Sequence, residues 1–215
     1  MTESSELPVL IVGTTAAGRA AAAALQLKGR FIYGYLTLDT NENRAEIDDL
    51  PILGQTNHPE LQAIFTDGKT DYVIAVTDAP LRLSLMRDLL GLSKKLPLSI
   101  VHPTAWVDES ADLAAGSLIG PGCLVGAGSK LEACCHLGLG VAIDAEVTLG
   151  STCTLGAGVV IGSGAHVGNH VFIGAGAVVG AGVRVGDGAT IAPGAVVLRN
   201  ADAGSQLVGN PAQPL

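Results

Sequence analysis

Residues 155–179 read LGAGVVIGSGAHVGNHVFIGAGAVV, and an aliphatic residue returns there at every sixth position. The same spacing runs without a break from Val101 to Val197, over seventeen positions. A fixed period of six residues is typical of hexapeptide repeats, which fold as a parallel β-helix. We expect three hexads to make one triangular coil, with coils stacked at the strand spacing of about 4.8 Å. The positions are Val101, Val107, Leu113, Ile119, Val125, Leu131, Leu137, Ile143, Leu149, Leu155, Ile161, Val167, Ile173, Val179, Val185, Ile191 and Val197.

Each place in the hexad has a predicted role. The aliphatic residue points inward, and the residue two before it is often small and fills the rest of the core. Cys123, Cys135 and Cys153 occupy such small positions, so we expect buried thiols there. The residue after each aliphatic is mostly Gly, which we expect to permit a tight corner with positive φ.

Composition narrows the class of protein. The chain has 215 residues, 29 glycines, 3% aromatic residues and a formal net charge of −8. The acidic balance argues against nucleic acid and anionic membrane surfaces as partners. No apolar run is long enough for a membrane span, and the first residues lack the basic region of a signal peptide, so we predict a cytoplasmic protein. The four cysteines form no CxxC pair, which argues against a zinc site and for a reduced compartment.

Residues 1–98 do not follow the period of six. Strand-like and helix-like segments alternate there, which is typical of a Rossmann-like α/β domain with a parallel sheet. We therefore divide the chain into this domain, a β-helix over residues 99–200 and a C-terminal tail over 201–215. Predicted strands are Pro8–Gly13, Phe31–Leu36, Ile52–Gly54, Asp71–Thr77 and Leu98–Val101; predicted helices are Thr14–Leu27, Pro59–Phe65 and Pro80–Leu90, the last ending at Gly91.

The first strand-to-helix turn, Gly13-Thr-Thr-Ala-Ala-Gly18, is a degenerate G-x-G-x-x-G motif in which Thr15 replaces the second glycine. A nicotinamide cofactor is therefore not expected. The helix N-terminus still suits a phosphate, and Thr14 and Thr15 add hydroxyl donors. A purely structural turn is the alternative.

Short segments outside the repeat follow one another in a specific order. They are Val12–Gly18, Tyr33–Leu36, Leu50–Gly54, Ala75–Asp78 with Arg82, Val101–Pro103 and Val208–Ala212. Together with the repeat they resemble, over nearly the whole chain, the bacterial PglD and sialic-acid-biosynthesis type of sugar acetyltransferases. That family N-acetylates nucleotide-linked amino sugars with acetyl-CoA. The resemblance implies a Rossmann-like domain followed by a left-handed parallel β-helix.

The resemblance also implies partners and sites. It implies acetyl-CoA as acyl donor, a nucleotide-linked amino sugar as acceptor, no metal, and a homotrimer with the β-helices side by side. The acceptor's nucleotide would lie on the N-terminal domain and CoA in the groove between neighbouring β-helices. Acceptor-binding positions are Gly13, Thr14, Thr15 and Asp39, and cofactor-binding positions are Ala175, Gly180, Ala192, Pro193 and Pro211. The family's acidic pair after Leu36 is replaced by Thr37 and Leu38, which puts Asp39 one place later.

The chain departs from the family at the reaction centre. The family's general-base histidine corresponds to Ala145, and a second histidine nine residues later corresponds to Thr154. The resemblance still implies an oxyanion donor one coil further on, the backbone N–H of Ser163. Three interpretations stay open for the base: Glu146 or Asp144, another histidine such as His136, or a weak or inactive homologue that binds nucleotide sugar, CoA or both.

A zinc site of the carbonic-anhydrase kind is a rival interpretation. It would need three converging histidines, and His136, His166 and His170 are the candidates. They occupy different places in the 18-residue coil, so we do not expect them to converge. For His166 and His170 we expect surface imidazoles.

Overall fold

The computed structural model of the chain describes residues 6–215. These form two compact units that divide between Ile100 and Val101. Among the described residues no helix has the length and apolar character that crossing a bilayer requires.

The first unit is built on a five-stranded sheet with the strand order β3-β4-β2-β1-β5. The pairs β1–β2, β1–β5 and β2–β4 are parallel, and only β3 runs antiparallel to its neighbour β4. The central strand β1 is fully buried, as expected for a strand covered on both faces. The elements are Val9–Val12 (β1), Ala16–Leu27 (α1), Ile32–Thr37 (β2), Glu46–Ile47 (β3), Leu50–Gln55 (β4), Pro59–Thr66 (α2), Asp71–Ile74 (β5) and Ala79–Ser93 (α3).

Helix α3 shows how local sequence sets the element bounds. Its N-cap is Asp78, whose side chain accepts a hydrogen bond from the backbone N–H of Leu81 at 2.8 Å. The predicted stop at Gly91 is wrong, because the helix continues to Ser93. It ends where Lys94 adopts a left-handed conformation with φ of 55°.

The second unit is a triangular prism of seventeen two-residue strands, β6 to β22. Strands 18 residues apart pair in parallel, as His136 does with Thr154. We call the three resulting sheets face A (β6, β9, β12, β15, β18, β21), face B (β7, β10, β13, β16, β19, β22) and face C (β8, β11, β14, β17, β20). The strands are Ile100–Val101 (β6), Trp106–Val107 (β7), Asp112–Leu113 (β8), Leu118–Ile119 (β9), Leu124–Val125 (β10), Lys130–Leu131 (β11), His136–Leu137 (β12), Ala142–Ile143 (β13), Thr148–Leu149 (β14), Thr154–Leu155 (β15), Val160–Ile161 (β16), His166–Val167 (β17), Phe172–Ile173 (β18), Val178–Val179 (β19), Arg184–Val185 (β20), Thr190–Ile191 (β21) and Val196–Val197 (β22).

Three corners separate the faces. The BC corner comprises residues 144–147 in one coil and 162–165 in the next. The CA corner comprises residues 150–153 and 168–171, and the AB corner residues 156–159, 174–177 and 192–195.

The last residues extend the prism. Strand β23, Gln206–Val208, pairs in parallel with β21, and β24, Gln213–Pro214, pairs antiparallel with β23. Leu207 is 5% exposed and belongs to the core of the prism. The backbone N–H of Ala212 donates to the carbonyl oxygen of Val196 at 2.8 Å, which holds the end of the chain against face B.

The predicted core of the β-helix is confirmed. The fourteen repeat aliphatics from Ile119 to Val197 are at most 3% exposed, and Val101, Val107 and Leu113 pack partly buried against them. Cys123, Cys135 and Cys153 are fully buried, as predicted.

The predicted role of the glycines that follow the aliphatics is wrong. These glycines do not have positive φ. They are needed for space, because a Cβ on Gly156 would lie 2.6 Å from the backbone nitrogen of Ala175 in the next coil. Positive φ occurs two residues later, as at Gly158 with φ of 68°. Four of these left-handed positions carry a side chain: Cys134, Glu146, Thr152 and His170.

Candidate functional site

The BC corner at Asp144–Val147 contains Ala145, the position at which the sequence resemblance implies a general base. The chain there is tied to the coils on both sides. The N–H of Glu146 donates to the carbonyl oxygen of Ala127 at 2.8 Å, and the N–H of Gly164 donates to that of Ala145 at 2.9 Å. Ala145 is half-buried while Asp144 and Glu146 are exposed. The corner is therefore a fixed backbone platform that carries two outward carboxylates.

The two carboxylates differ in their hydrogen-bond and ion-pair partners. Asp144 Oδ1 accepts a hydrogen bond from the N–H of Ala145 at 2.7 Å. Glu146 stands at φ of 58°, and its Cγ lies over Gly128 in the preceding coil. Its carboxylate has no ion-pair partner among residues 6–215. Glu146 is therefore the freer of the two to meet a ligand.

Ser163 lies on the same corner one coil above Ala145. Among residues 6–215, the N–H groups at both places donate no hydrogen bond to a neighbouring coil. That of Ala145 is used by Asp144, whereas within the described residues 6–215 no backbone or side-chain acceptor engages that of Ser163. A free N–H next to Gly162 and Gly164, with little side-chain bulk around it, has the properties of an oxyanion donor.

His166 is the first outward residue after this corner, on strand β17 of face C. It is exposed, as predicted. Its ring is not free, however, because Nδ1 lies 3.0 Å from the carbonyl oxygen of Gly164. The imidazole is thus held against the corner that carries Ser163. The repeat period shows only that His166 points outward, so sequence reasoning did not connect it with this site.

The other two histidines lie elsewhere. His136 is 6% exposed and belongs to face A, the side of the triangle opposite the BC corner. Although it is the nearest histidine in sequence, the structure does not bring it to Ala145. His170 lies at the CA corner, where its Nδ1 contacts the hydroxyl of Thr152. Within residues 6–215, no three His, Cys, Asp or Glu side chains are placed to hold a metal ion together.

The predicted CoA-binding residues fall on both edges of face B. Ala175, Ala192 and Pro193 belong to the AB corner, and Gly180 belongs to the BC corner, one coil above Gly162. Pro211 lies in the terminal segment that is hydrogen-bonded to Val196. Within one chain the structure therefore does not gather these positions into one cluster.

The outward side of face B, which separates these edges, is entirely apolar. Trp106 is 54% exposed, Leu124 50% and Val160 42%. A continuous exposed apolar patch of this kind marks an interaction surface. Its residues are Trp106, Leu124, Ala142, Val160, Val178 and Val196.

In the first unit, Gly13 and Gly18 are required by packing. A Cβ on Gly13 would lie 2.5 Å from the carbonyl oxygen of Ala75, and one on Gly18 would lie 2.1 Å from that of Gly13. Gly13 also has φ of 119°, which favours glycine. These contacts explain both residues without a ligand. Thr15 is the N-cap of α1, yet its side chain makes no capping hydrogen bond, so its exposed hydroxyl can still donate to a ligand.

A carboxylate that sequence reasoning missed borders this turn. The guanidinium and backbone N–H of Arg44 donate hydrogen bonds to Glu42 and, with a smaller effect of the Thr14 hydroxyl, lower the pKa of Glu42 to about 2. Asp39, the predicted nucleotide contact, is exposed, and its Oδ1 accepts the N–H of Asn41 at 2.8 Å. The turn after β2 thus carries one exposed carboxylate, that of Asp39, and one nearly buried carboxylate, that of Glu42, which is paired with Arg44.

Comparison with known families and structures identifies the fold. The bacterial transferase hexapeptide family (six repeats) matches residues 164–199. No curated protein matches the chain. The acetyltransferase domain of PglB from Neisseria gonorrhoeae FA1090 superposes with a TM-score of 0.89 at 25% identity, over 98% of this chain and 100% of that one. The same domain has also been solved with acetyl coenzyme A.

Two further structures cover nearly the whole chain. PerB from Caulobacter crescentus, solved with CoA and GDP-perosamine, has a TM-score of 0.89 at 23% identity, over 97% of each chain. WeeI from Acinetobacter baumannii AYE has a TM-score of 0.67 at 19% identity, over 98% of this chain and 100% of that one. The chain is thus a hexapeptide-repeat protein with an α/β unit and a left-handed β-helix, and it shares its whole fold with the PglD and sialic-acid-biosynthesis type of nucleotide-sugar N-acetyltransferases that its sequence resembles.

Proposed function

We propose that the protein is an acetyl-CoA-dependent N-acetyltransferase that acts on a nucleotide-linked amino sugar. The observation that carries the proposal is the free N–H of Ser163 directly above Ala145 on an open, rigid corner. The whole-chain likeness to the PglB acetyltransferase domain, which has been solved with acetyl coenzyme A, supports the donor. The likeness to PerB, solved with GDP-perosamine, supports the acceptor class.

The reaction itself is a simple acyl transfer. The amine nitrogen of the sugar attacks the thioester carbonyl, the C–S bond breaks, and the amine gives up one proton. Negative charge develops on the carbonyl oxygen, where a preorganised N–H such as that of Ser163 stabilises the transition state. Glu146 and Asp144 are the carboxylates at the same corner that can hold the acceptor amine or take its proton. Because Asp144 already binds the N–H of Ala145, Glu146 is the stronger candidate.

We further propose a homotrimer that associates through face B. The apolar residues of this face, led by Trp106 at 54% exposure, gain most from burial against a neighbour. Face B lies between the AB and BC corners. Packing of one prism against the next therefore offers a way to bring the AB corner of one subunit, with Ala175 and Pro193, close to the BC corner of another, with Gly180 and Ser163. CoA would then occupy the groove between subunits.

A second candidate function is a homologue that binds the nucleotide sugar and CoA without efficient chemistry. Ala145 and Thr154 favour it, because both family histidines are absent. A variant of the Caulobacter crescentus enzyme with one histidine replaced by alanine was solved with CoA and GDP-perosamine both bound, so in that protein binding does not require the histidine.

Release of free thiol from acetyl-CoA, measured with a panel of UDP-, GDP- and dTDP-linked amino sugars, tests the proposal. We expect turnover on at least one acceptor. If CoA binds in a calorimeter but no acceptor is acetylated, the binding function stands and the enzyme function is refuted. A chain that sediments as a monomer at micromolar concentration would refute the trimer.

A further inference from the structure

His166 has a constrained ring on face C, directly after the corner where the proposed reaction takes place. Its Nδ1 lies 3.0 Å from the carbonyl oxygen of Gly164. Gly164 in turn donates its N–H to the carbonyl oxygen of Ala145 at 2.9 Å. Two hydrogen bonds therefore link the imidazole to the position of the missing base.

The contact with Gly164 fixes the tautomer of the neutral ring. A carbonyl oxygen can only accept a hydrogen bond, so Nδ1 must carry the proton. In the neutral imidazole Nε2 is then the basic nitrogen, with its lone pair directed away from Gly164. A hydrogen bond from Nδ1–H to a backbone carbonyl is a recurrent way of orienting a functional histidine.

Among residues 6–215, the Nε2 of His166 makes no hydrogen bond. On face C, His166 pairs with Thr148 of β14 below and Arg184 of β20 above. Thr148 adds no charge, Arg184 brings one guanidinium on the coil above, and the acidic groups of the corner, Asp144 and Glu146, lie one coil lower. His166 itself is exposed, so an acceptor sugar can reach it in this chain.

An imidazole also suits the task better than an exposed carboxylate. A general base works best when it exchanges its proton near the operating pH, as imidazole does, whereas a solvated carboxylate is much less basic. Glu146 is exposed in this structure.

We infer that His166 is the general base of the proposed acetyl transfer, in place of the histidine absent at Ala145; this inference rests on the proposed function. The amine nitrogen forms the new N–C bond while the C–S bond of the thioester breaks. The amine proton passes to Nε2 of His166, and from there to the departing CoA thiolate or to water. Ser163, three residues before His166, supplies the oxyanion N–H from the same corner.

Steady-state kinetics of His166→Ala, with the acceptor that the intact protein acetylates, test the inference. A positioned base contributes about 10²–10⁴-fold, so we expect kcat to fall at least about 100-fold while KM for acetyl-CoA changes little. His170→Ala is the matched control, because it removes another exposed histidine whose Nδ1 is also engaged; its kcat should stay within about twofold of the parent. Thermal unfolding of both variants checks that the fold is retained.

Rescue separates a base from a structural residue. The double variant His166→Ala with Ala145→His places an imidazole on the BC corner, one coil below Ser163. We expect its kcat to be at least about tenfold higher than that of His166→Ala. If His166→Ala keeps full kcat and Glu146→Gln loses it, the inference is overturned and the carboxylate is the base. If the intact protein turns over no acceptor, the proposed function fails and the inference with it.

A readout that needs no substrate tests the geometry alone. Long-range ¹H–¹⁵N NMR of the intact protein, assigned with His166→Ala, reports which ring nitrogen is protonated. We expect the Nδ1–H tautomer for the neutral ring of His166. A predominant Nε2–H tautomer would mean that Nε2 cannot accept a proton, and would overturn the inference even in an active enzyme.

Discussion

Ser129 and Asp144 are hydrogen-bonded across one coil, with the buried Ser129 hydroxyl donating to the Asp144 carbonyl oxygen at 2.8 Å. The same hydroxyl accepts the N–H of Val147 at 3.1 Å. One fully buried side chain thus fixes both ends of the candidate catalytic corner from beneath.

Ser129→Ala should therefore destabilise the protein by about 1–3 kcal/mol, the cost of leaving buried polar groups unpaired. Chemical denaturation measures this. Ser129→Cys is the matched control, because Cys123 at the equivalent place donates from Sγ to the carbonyl oxygen of Gly138 at 3.0 Å. If Ser129→Ala has the same free energy of unfolding as the parent, the hydrogen bonds of Ser129 contribute nothing.

Gly156 and Gly158 should respond differently to substitution although they are two residues apart. In Gly156→Ala the new Cβ would meet the backbone of Ala175 at 2.6 Å, and we expect a loss of about 2 kcal/mol or more. Gly158 has φ of 68° and open space around it, so Gly158→Asn should cost about 1 kcal/mol or less. Melting temperatures of the two variants decide the order, and the reverse order would contradict the packing role of Gly156.

Glu42→Gln should strengthen nucleotide binding to the first unit if phosphate binds at the turn after β1. The Glu42 pKa of about 2 keeps this carboxylate negative beside Thr14 at every working pH. Its removal also releases Arg44, whose side chain is 53% exposed. We expect roughly threefold tighter binding of UDP or GDP, the scale of one solvent-screened charge contact with the ligand. Calorimetry measures the affinity, with Glu60→Gln on α2 as the control. Weaker binding in Glu42→Gln would mean that the carboxylate itself contacts the nucleotide.

Asp187 should make the stability of the prism depend on acidic pH. Its Oδ1 accepts the backbone N–H of Asn169 at 2.8 Å, and this hydrogen bond lowers the pKa of Asp187. A lowered pKa stabilises the fold above the pKa of the unfolded chain, about 3.9, and this contribution is lost as the pH falls through the lower folded value. Asp187→Asn should therefore flatten the melting temperature against pH below about pH 4. If the melting temperature of Asp187→Asn falls as steeply below about pH 4 as that of the parent, Asp187 does not cause the acid dependence.

Ala145→His should raise turnover, because it places an imidazole at the position that the family uses. Ala145 is half-exposed and lacks positive φ, so the corner can carry the larger side chain. The increase in kcat is measured with the same acceptor as for the intact protein. Ala127→His, one coil lower on the same corner, is the control and should show no gain. A drop in kcat for Ala145→His would indicate that the acceptor already fills this place.

The six-residue period predicted the prism because every sixth residue points into the core and is aliphatic. Ile143 and Val147 enclose the BC corner as their spacing requires. Side-chain direction is not contained in that spacing, and so the contact between His166 and Gly164 could not be predicted. The role of Gly156 was mistaken for the same kind of reason: sequence shows that a side chain is excluded, but not whether φ or a neighbouring coil excludes it.

The first unit was predictable to a lesser degree. Alternating apolar and helix-forming segments indicated the parallel strands around β1. Strand β3, Glu46–Ile47, has only two residues and no apolar run. The sequence therefore did not predict that an antiparallel strand forms one edge of the sheet. Helix α3 passes Gly91, which does not have positive φ, and it ends only where Lys94 does, so the glycine by itself did not mark the end of the helix.

The stacking of equivalent coils has a consequence for how such a protein can change. Each corner offers the same backbone mounting again about 4.8 Å further along the axis. A functional side chain can therefore be lost from one coil and supplied by a residue of a neighbouring coil while the scaffold keeps its shape. In a solenoid of this kind, the absence of a catalytic side chain at one position does not by itself indicate an inactive enzyme, because a residue on an adjacent coil can lie beside the same site.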